Sequence, residues 1–114
     1  MADDVVLSES ELAKELESLP QWEIREGWLR RTYKTPGWSH TMMLANTVAF
    51  IAEAAYHHPD LSIGYATVTV KLQTHRVRAI TTNDVALARR IDEVVRWKPG
   101  SDSPLSGFPK NWIQ

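Results

Sequence analysis

Residues 67–73, Thr-Val-Thr-Val-Lys-Leu-Gln, alternate strictly, with an apolar side chain at every even position and a polar one at every odd position. Successive side chains of a strand point to opposite faces, so this run is a strand with one buried face and one wet face. A sheet of that kind needs a cover over its apolar side. The rest of the chain has to supply it.

The cover is legible as helices. Ser8-Glu9-Ser10-Glu11 has the spacing of a capping box, and Leu12, Leu16 and Leu19 follow at helical intervals until Pro20. Residues 39–56 contain neither Gly nor Pro, and Leu44, Val48, Ile51 and Ala55 repeat at helical spacing, with Met43, Phe50 and Ala54 widening the stripe. This central helix should stop near His57 or His58, because Pro59 pushes the residue before it out of the helical region. Thr81 or Thr82, with Asp84, caps a last helix whose core stripe is Leu87, Ala88, Ile91, Val94 and Val95, with Asp92 and Arg96 on its outer side. Between the helices, residues 22–25 and 28–33 are aromatic and β-branched runs joined by Glu26-Gly27, which reads as a tight hairpin, and residues 61–65 form a shorter strand broken at Gly64. The order αββαββα predicts an α+β fold with a four-stranded antiparallel sheet and three helices on one face. Trp22, Trp28, Trp38 and Trp97 are expected in the core or at interfaces. The tail, residues 98–114, holds three prolines and two glycines, yet Leu105, Phe108, Trp112 and Ile113 suit an ordered arm anchored on a surface.

Composition narrows the function. A chain of 114 residues fits one compact domain. Thirteen Lys and Arg against fourteen Asp and Glu give a net charge of -1, which removes the basic field that draws proteins to nucleic acid or acidic lipid. No cysteine is present, so disulfides, thiolate nucleophiles and zinc ribbons are excluded. The N-terminal stretch lacks the pattern of a secretion signal, and no apolar run approaches the roughly 20 residues that span a bilayer, so a cytoplasmic location without membrane partners is expected.

Three of the four histidines, His57, His58 and His75, lie within nineteen positions, at the ends of the central helix and of the alternating strand. Glu53 stands four residues before His57, so on a continuing helix the carboxylate would orient or charge that imidazole. Imidazole titrates at about 6.5, and a helix C-terminus favours its charged form, so His57 suits proton donation near neutral pH. The competing reading makes His57 and His58 helix C-caps and His75 a polar-face strand residue. Metal ligation by His57, His58, His75 and Glu53 is disfavoured, because adjacent helical residues point about 100° apart and no His-x-x-x-His pair exists. His40 stands alone near the start of the central helix, where a surface or capping role is its default.

Glu53, three residues, His57-His58-Pro59, five residues, Tyr65, nine residues, His75, eight residues and Asp84 together resemble the signature of the pterin-4a-carbinolamine dehydratase family, with seven positions of defined type at fixed spacings. The resemblance spans residues 7–97, which would form the pterin dehydratase-like domain, residues 1–97, followed by a C-terminal arm, residues 98–114. It implies dehydration of 4a-hydroxytetrahydropterin to quinonoid dihydropterin by histidine acid/base catalysis, with neither metal nor organic cofactor. It also implies that His57, His58 and His75 are catalytic. His57 and His75 would be the acid/base pair and His58 a binding and orienting partner. Glu53, Asp60, Thr74 and Asp84 would bind substrate or position the histidines. Assembly into homodimers or homotetramers is implied as well.

Several neighbours depart from the usual family residues. Leu61 stands where many members have an aromatic side chain, Gln73 replaces a small serine and Ala79 replaces glycine, while Arg76 and Arg78 put two cations beside the expected pocket. If they point inward, they should lower the pKa of His75 by like-charge repulsion. With the long tail, these departures are similar to a branch of the family that assists Rubisco assembly in carboxysomes, which implies a second reading as a non-catalytic chaperone with Rubisco subunits as partners.

Overall fold

The structure is a computed structural model that describes residues 4–114; Met1, Ala2 and Asp3, part of the N-terminal stretch read above, lie outside them. The elements run α1 (Glu9–Leu16), β1 (Glu23–Arg25), β2 (Trp28–Lys34), α2 (Trp38–Ala55), β3 (Asp60–Ile63), β4 (Thr67–Leu72) and α3 (Thr82–Val95), the expected αββαββα order. The strands form one antiparallel sheet in the order β1-β2-β4-β3. The hairpin turns at Glu26 (φ 54°) and Gly27 (φ 80°), the two left-handed positions that match the right-handed twist of the flanking strands.

Register explains the layers. Leu29 pairs with Leu72, Arg31 with Val70 and Tyr33 with Val68, so these six side chains share one face, and all are buried. Leu44, Val48 and Ala52 of α2 and Val85, Ala88, Ile91 and Val95 of α3 cover that face. Both capping boxes form, Ser8 with Glu11 and Thr81 with Asp84. The opposite sheet face carries Trp28, Arg30, Thr32, Thr69, Lys71, Asp60 and Ser62 by alternation. Among the described residues no helix is long and apolar enough to cross a membrane.

Two expectations about side-chain placement are corrected. On α2 the buried stripe runs Thr41, Leu44, Ala45, Val48 and Ala52, leaving Met43 (55% exposed) and Phe50 (71% exposed) on the outer side, and Ala54 and Ala55 are exposed too. Val94 is likewise exposed, and Val85 takes its place in the core. Of the tryptophans expected in the core or at interfaces, Trp22 is buried and Trp28 partly so, while Trp38 and Trp97 lie outside the core on the surface.

Asp92 does not face outward. It follows Ile91 and stands one turn after Ala88, at the border of the core stripe, where Arg31 draws it toward the sheet. Arg31 Nη1–H donates to Asp92 Oδ1 at 2.8 Å, the Tyr33 hydroxyl donates to the same oxygen, and Trp22 Nε1–H donates to Oδ2 at 3.0 Å. The Arg31 guanidinium also lies 4.2 Å from the centre of the Tyr33 ring. Burial, reinforced by the hydrogen bond to Asp92, holds the Tyr33 phenol well above the usual tyrosine range.

The tail returns to the sheet at the far end of β2. Because β1 pairs only with residues 28–30, the edge of β2 beyond them is open, and Gln114 occupies it through reciprocal backbone hydrogen bonds with Lys34, both 2.9 Å. Ile113 packs against the core.

Asp92→Ala leaves the Arg31 charge buried without its partner and should cost about 3–5 kcal/mol of stability, read as a lower denaturant midpoint. Because the fold raises the Tyr33 pKa, the stability linked to its neutral phenol is complete below about pH 10 and is lost as pH rises beyond it. Tyr33→Phe should abolish that alkaline loss in pH-dependent thermal unfolding.

Candidate active site

The site begins where α2 ends. Tyr56 adopts a left-handed conformation (φ 53°, ψ 45°) and caps the helix through its backbone amide, and the His57 amide donates back to Ala52 O at 3.1 Å. The turn stops the helix before His57, and the chain passes through Pro59 into β3.

The backbone of His57 thus serves the C-cap, while its side chain reaches α3. Its Nε2 lies 2.6 Å from Asp84 Oδ1, and Asp84 is fully buried in the first turn of α3. The second carboxylate oxygen accepts the Thr81 amide at 2.9 Å and the Thr74 hydroxyl at 2.8 Å. The hydroxyls of Thr74 and Thr81 are 2.7 Å apart, so with Thr74 donating to Asp84, Thr81 donates to Thr74. A helix N-terminus and converging donors suit a buried anion.

Sequence spacing paired Glu53 with His57, and the structure overturns that pairing. Because the helix ends at Ala55 and Tyr56 reverses the backbone, it is His58 whose Nε2 lies 2.7 Å from Glu53 Oε1. This is an exposed pair, with the Tyr56 ring edge-on to His58 at 5.6 Å.

His75 follows Thr74 and is exposed while Thr74 is buried. Its Nδ1 lies 3.2 Å from Gln73 O, and its ring meets Trp28 edge-on at 6.2 Å. Lys71 Nζ stands 4.8 Å from the Trp28 ring centre, and Asp60 is the cross-strand partner of Lys71. Trp28, Lys71 and Asp60 therefore continue the His75 side across the open sheet face. Trp28 was missed as a possible site wall because its register opposite the end of β4 is not visible in a linear pattern.

A second carboxylate near His57 was also missed. The segment before α1 runs beside the start of α3 through a Val6–Thr81 bridge and hydrogen bonds from Leu7 N to Ile80 O (3.1 Å) and from Thr82 N to Val5 O (3.0 Å). This places Asp4 where Arg76 grips it with Nε and Nη2 at 2.9 and 2.7 Å, and where Asn83 Nδ2 donates at 3.3 Å. The Arg76 hydrogen bonds hold the Asp4 carboxyl below the usual carboxylate range, with the charge of His57 contributing less.

The residues that depart from the family pattern have structural partners. Leu61 packs against the core, Gln73 Nε2 donates to Gly27 O at 3.0 Å and ties β4 to the hairpin, and the backbone of Ala79 pairs with Thr74. Arg76 is committed to Asp4, so the inward pair of cations expected beside His75 does not form.

Three imidazoles thus each have one ring nitrogen engaged by an oxygen that only accepts, His58 through its exposed pair with Glu53 and the other two as follows. Nε2–H of His57 faces Asp84 and leaves Nδ1 available; Nδ1–H of His75 faces Gln73 O and leaves Nε2 available. Such nitrogens can exchange protons with a bound molecule. Among the described residues no group of three or more His, Cys, Asp or Glu is placed to hold a metal ion. Thr74→Val strips a buried donor from Asp84 and should cost about 1–3 kcal/mol in denaturant unfolding, whereas the exposed Thr82→Val should stay within about 0.5 kcal/mol.

A family model described as pterin 4 alpha carbinolamine dehydratase matches residues 5–94. A candidate pterin-4-alpha-carbinolamine dehydratase of Aquifex aeolicus is 42% identical over 90 residues, covering 79% of this chain and 91% of that protein. One from Chloroflexus aurantiacus is 39% identical over 89 residues, covering 78% and 96%. The crystal structure of a transcriptional coactivator/pterin dehydratase from Brucella melitensis superposes with a TM-score of 0.73 at 28% identity, over 78% of this chain and 97% of that one. A pterin dehydratase-like protein identified as a RuBisCO assembly factor in the alpha-carboxysome shares the fold, with a TM-score of 0.53 at 18% identity over 64% and 84% of the two chains. By the match over residues 5–94 and these relatives, the chain belongs to the pterin-4a-carbinolamine dehydratase family.

Proposed function

We propose that the chain dehydrates 4a-hydroxytetrahydropterin to quinonoid dihydropterin, and that His57 and His75 move the protons. The observation that carries this reading is the His57–Asp84 contact, which commits Nε2 and leaves Nδ1 as the only ring nitrogen able to exchange a proton with substrate. His57, as imidazolium, donates from Nδ1 to the 4a-hydroxyl as the C4a–O bond breaks, and water leaves. His75 accepts a proton at Nε2 from the ring nitrogen, whose N–H electron pair becomes the new C=N bond. Atoms and charge balance without a cofactor. Exposed to solvent, His75 returns its proton to water, and His57 is reprotonated for the next turnover.

The remaining residues act around that pair. Thr74 positions His57 through Asp84. His58, held by Glu53, binds and orients the pterin, and Asp60 and Trp28 flank it on the open sheet face. Leu61, Gln73, Arg76 and Ala79, four of the changes that together with Arg78 and the tail suggested a Rubisco assembly role, are taken up by core packing, the hairpin tie, the Asp4 clamp and the Thr74 pairing. That favours the dehydratase over the chaperone. The exposed Met43 and Phe50 on α2 suit burial against a second copy, in keeping with a homodimer or homotetramer located in the cytoplasm.

Purified protein given freshly generated carbinolamine should form the quinonoid product faster than buffer alone. His57→Ala and His75→Ala should each lose on the order of 10²- to 10⁴-fold in kcat, as expected for a general acid or base. A wild-type rate equal to that of buffer would overturn the proposal.

A further inference from the structure

A cavity of about 730 Å³ lies between the end of α3 and the returning tail, within the roughly 300–1,000 Å³ of small-molecule sites. All of its lining residues follow Val94, so it is built outside the stretch that matches the family and apart from the His57–Asp84 site. Its chemistry is one-sided. Arg96, Lys98 and Lys110 line it and no Asp or Glu does, and among the described residues none of the three cations is within ion-pair distance of a carboxylate. Trp97, Phe108 and Trp112 supply aromatic surface in the same walls.

The walls are held in place. Gln114 and Lys34 anchor the end of the tail to β2, and Lys98 Nζ donates to Asn111 Oδ1 at 2.6 Å across the cavity rim. From α2, the ring of His40 meets Phe108 at 5.7 Å and Trp112 at 5.2 Å and backs that wall. Gly107 turns the chain at φ +82°, and a Cβ there would come within 3.3 Å of Pro99 Cγ. Lys98 has two ammonium protons left after bonding Asn111, and Lys110 has three.

We propose that this cavity binds a small planar aromatic anion, its ring against Trp97, Phe108 or Trp112 and its negative group between Lys98 and Lys110. Neither feature suffices alone: aromatic walls select a flat ring, and cations without a competing carboxylate select the charge. The site is independent of the proposed dehydration.

Adenosine 5′-monophosphate serves as the probe, with adenosine and ribose 5-phosphate supplying the ring and the anion separately. The five tryptophans give five indole N–H signals in a ¹H–¹⁵N spectrum. Addition of the monophosphate to the full chain should shift the Trp97 and Trp112 signals saturably and leave the buried Trp22 signal in place. Adenosine and ribose 5-phosphate should each bind at least about tenfold more weakly, and Lys110→Gln and Lys98→Gln should each weaken the monophosphate about tenfold. Turnover of the carbinolamine should be unchanged in both variants. Unmoved Trp97 and Trp112 signals overturn the proposal, as does equal binding of either half-probe. So does unchanged affinity in Lys110→Gln, which leaves the Lys98–Asn111 tie intact.

Discussion

A carboxylate with no exposed surface has to be surrounded by donors, and the placement of Asp84 imposes much of the local architecture. Its position in the first turn of α3 satisfies a helix N-terminus. The Thr81 amide it accepts starts that helix, the Thr74 hydroxyl belongs to the chain leaving β4, and the His57 imidazole belongs to the chain leaving α2. One side chain therefore joins the start of α3 to the chain leaving β4 and, farther back, to the chain leaving α2. Because the histidine is one of the three donors, the fold and the candidate chemistry rest on the same group.

Asp92 offers a contrast one helix face away. It too gathers donors from separate elements, Trp22, Arg31 and Tyr33, yet nothing around it resembles a reaction centre. Arg31 is nearly enclosed and would be costly to leave unpaired, so the cluster works as a polar tie between sheet and helix. Asp84 differs in that its histidine partner keeps one ring nitrogen uncommitted. A buried network that ends in a titratable group with a free nitrogen can act on a ligand; the Asp92 cluster ends in none and holds the fold.

Much of this was readable in advance where local chemistry decides. Alternation over residues 67–73 located β4, Glu26-Gly27 located the hairpin, and Ser8 and the Thr81-Thr82 pair located two helix starts, because each depends on near neighbours. The spacing of seven residues pointed to the family before any geometry was known. What escaped depends on partners far along the chain. Arg31 breaks the apolar alternation of β2, so its inward direction and the Asp92 cluster went unseen. Tyr56 carries a Cβ and is not an expected left-handed cap, so the helix was run on to His57 and the wrong imidazole was paired with Glu53. Met43 and Phe50 counted as core because hydrophobicity alone cannot tell a face covered by the sheet from one left exposed.

The account stands on Asp84 acting through His57. A double-mutant cycle on kcat/KM with Asp84→Asn, His57→Gln and the double variant measures that dependence most directly. If the carboxylate works by holding the imidazole, the double variant is no slower than His57→Gln alone. Losses that multiply, with the double variant slowed by the product of the two single effects, would contradict it.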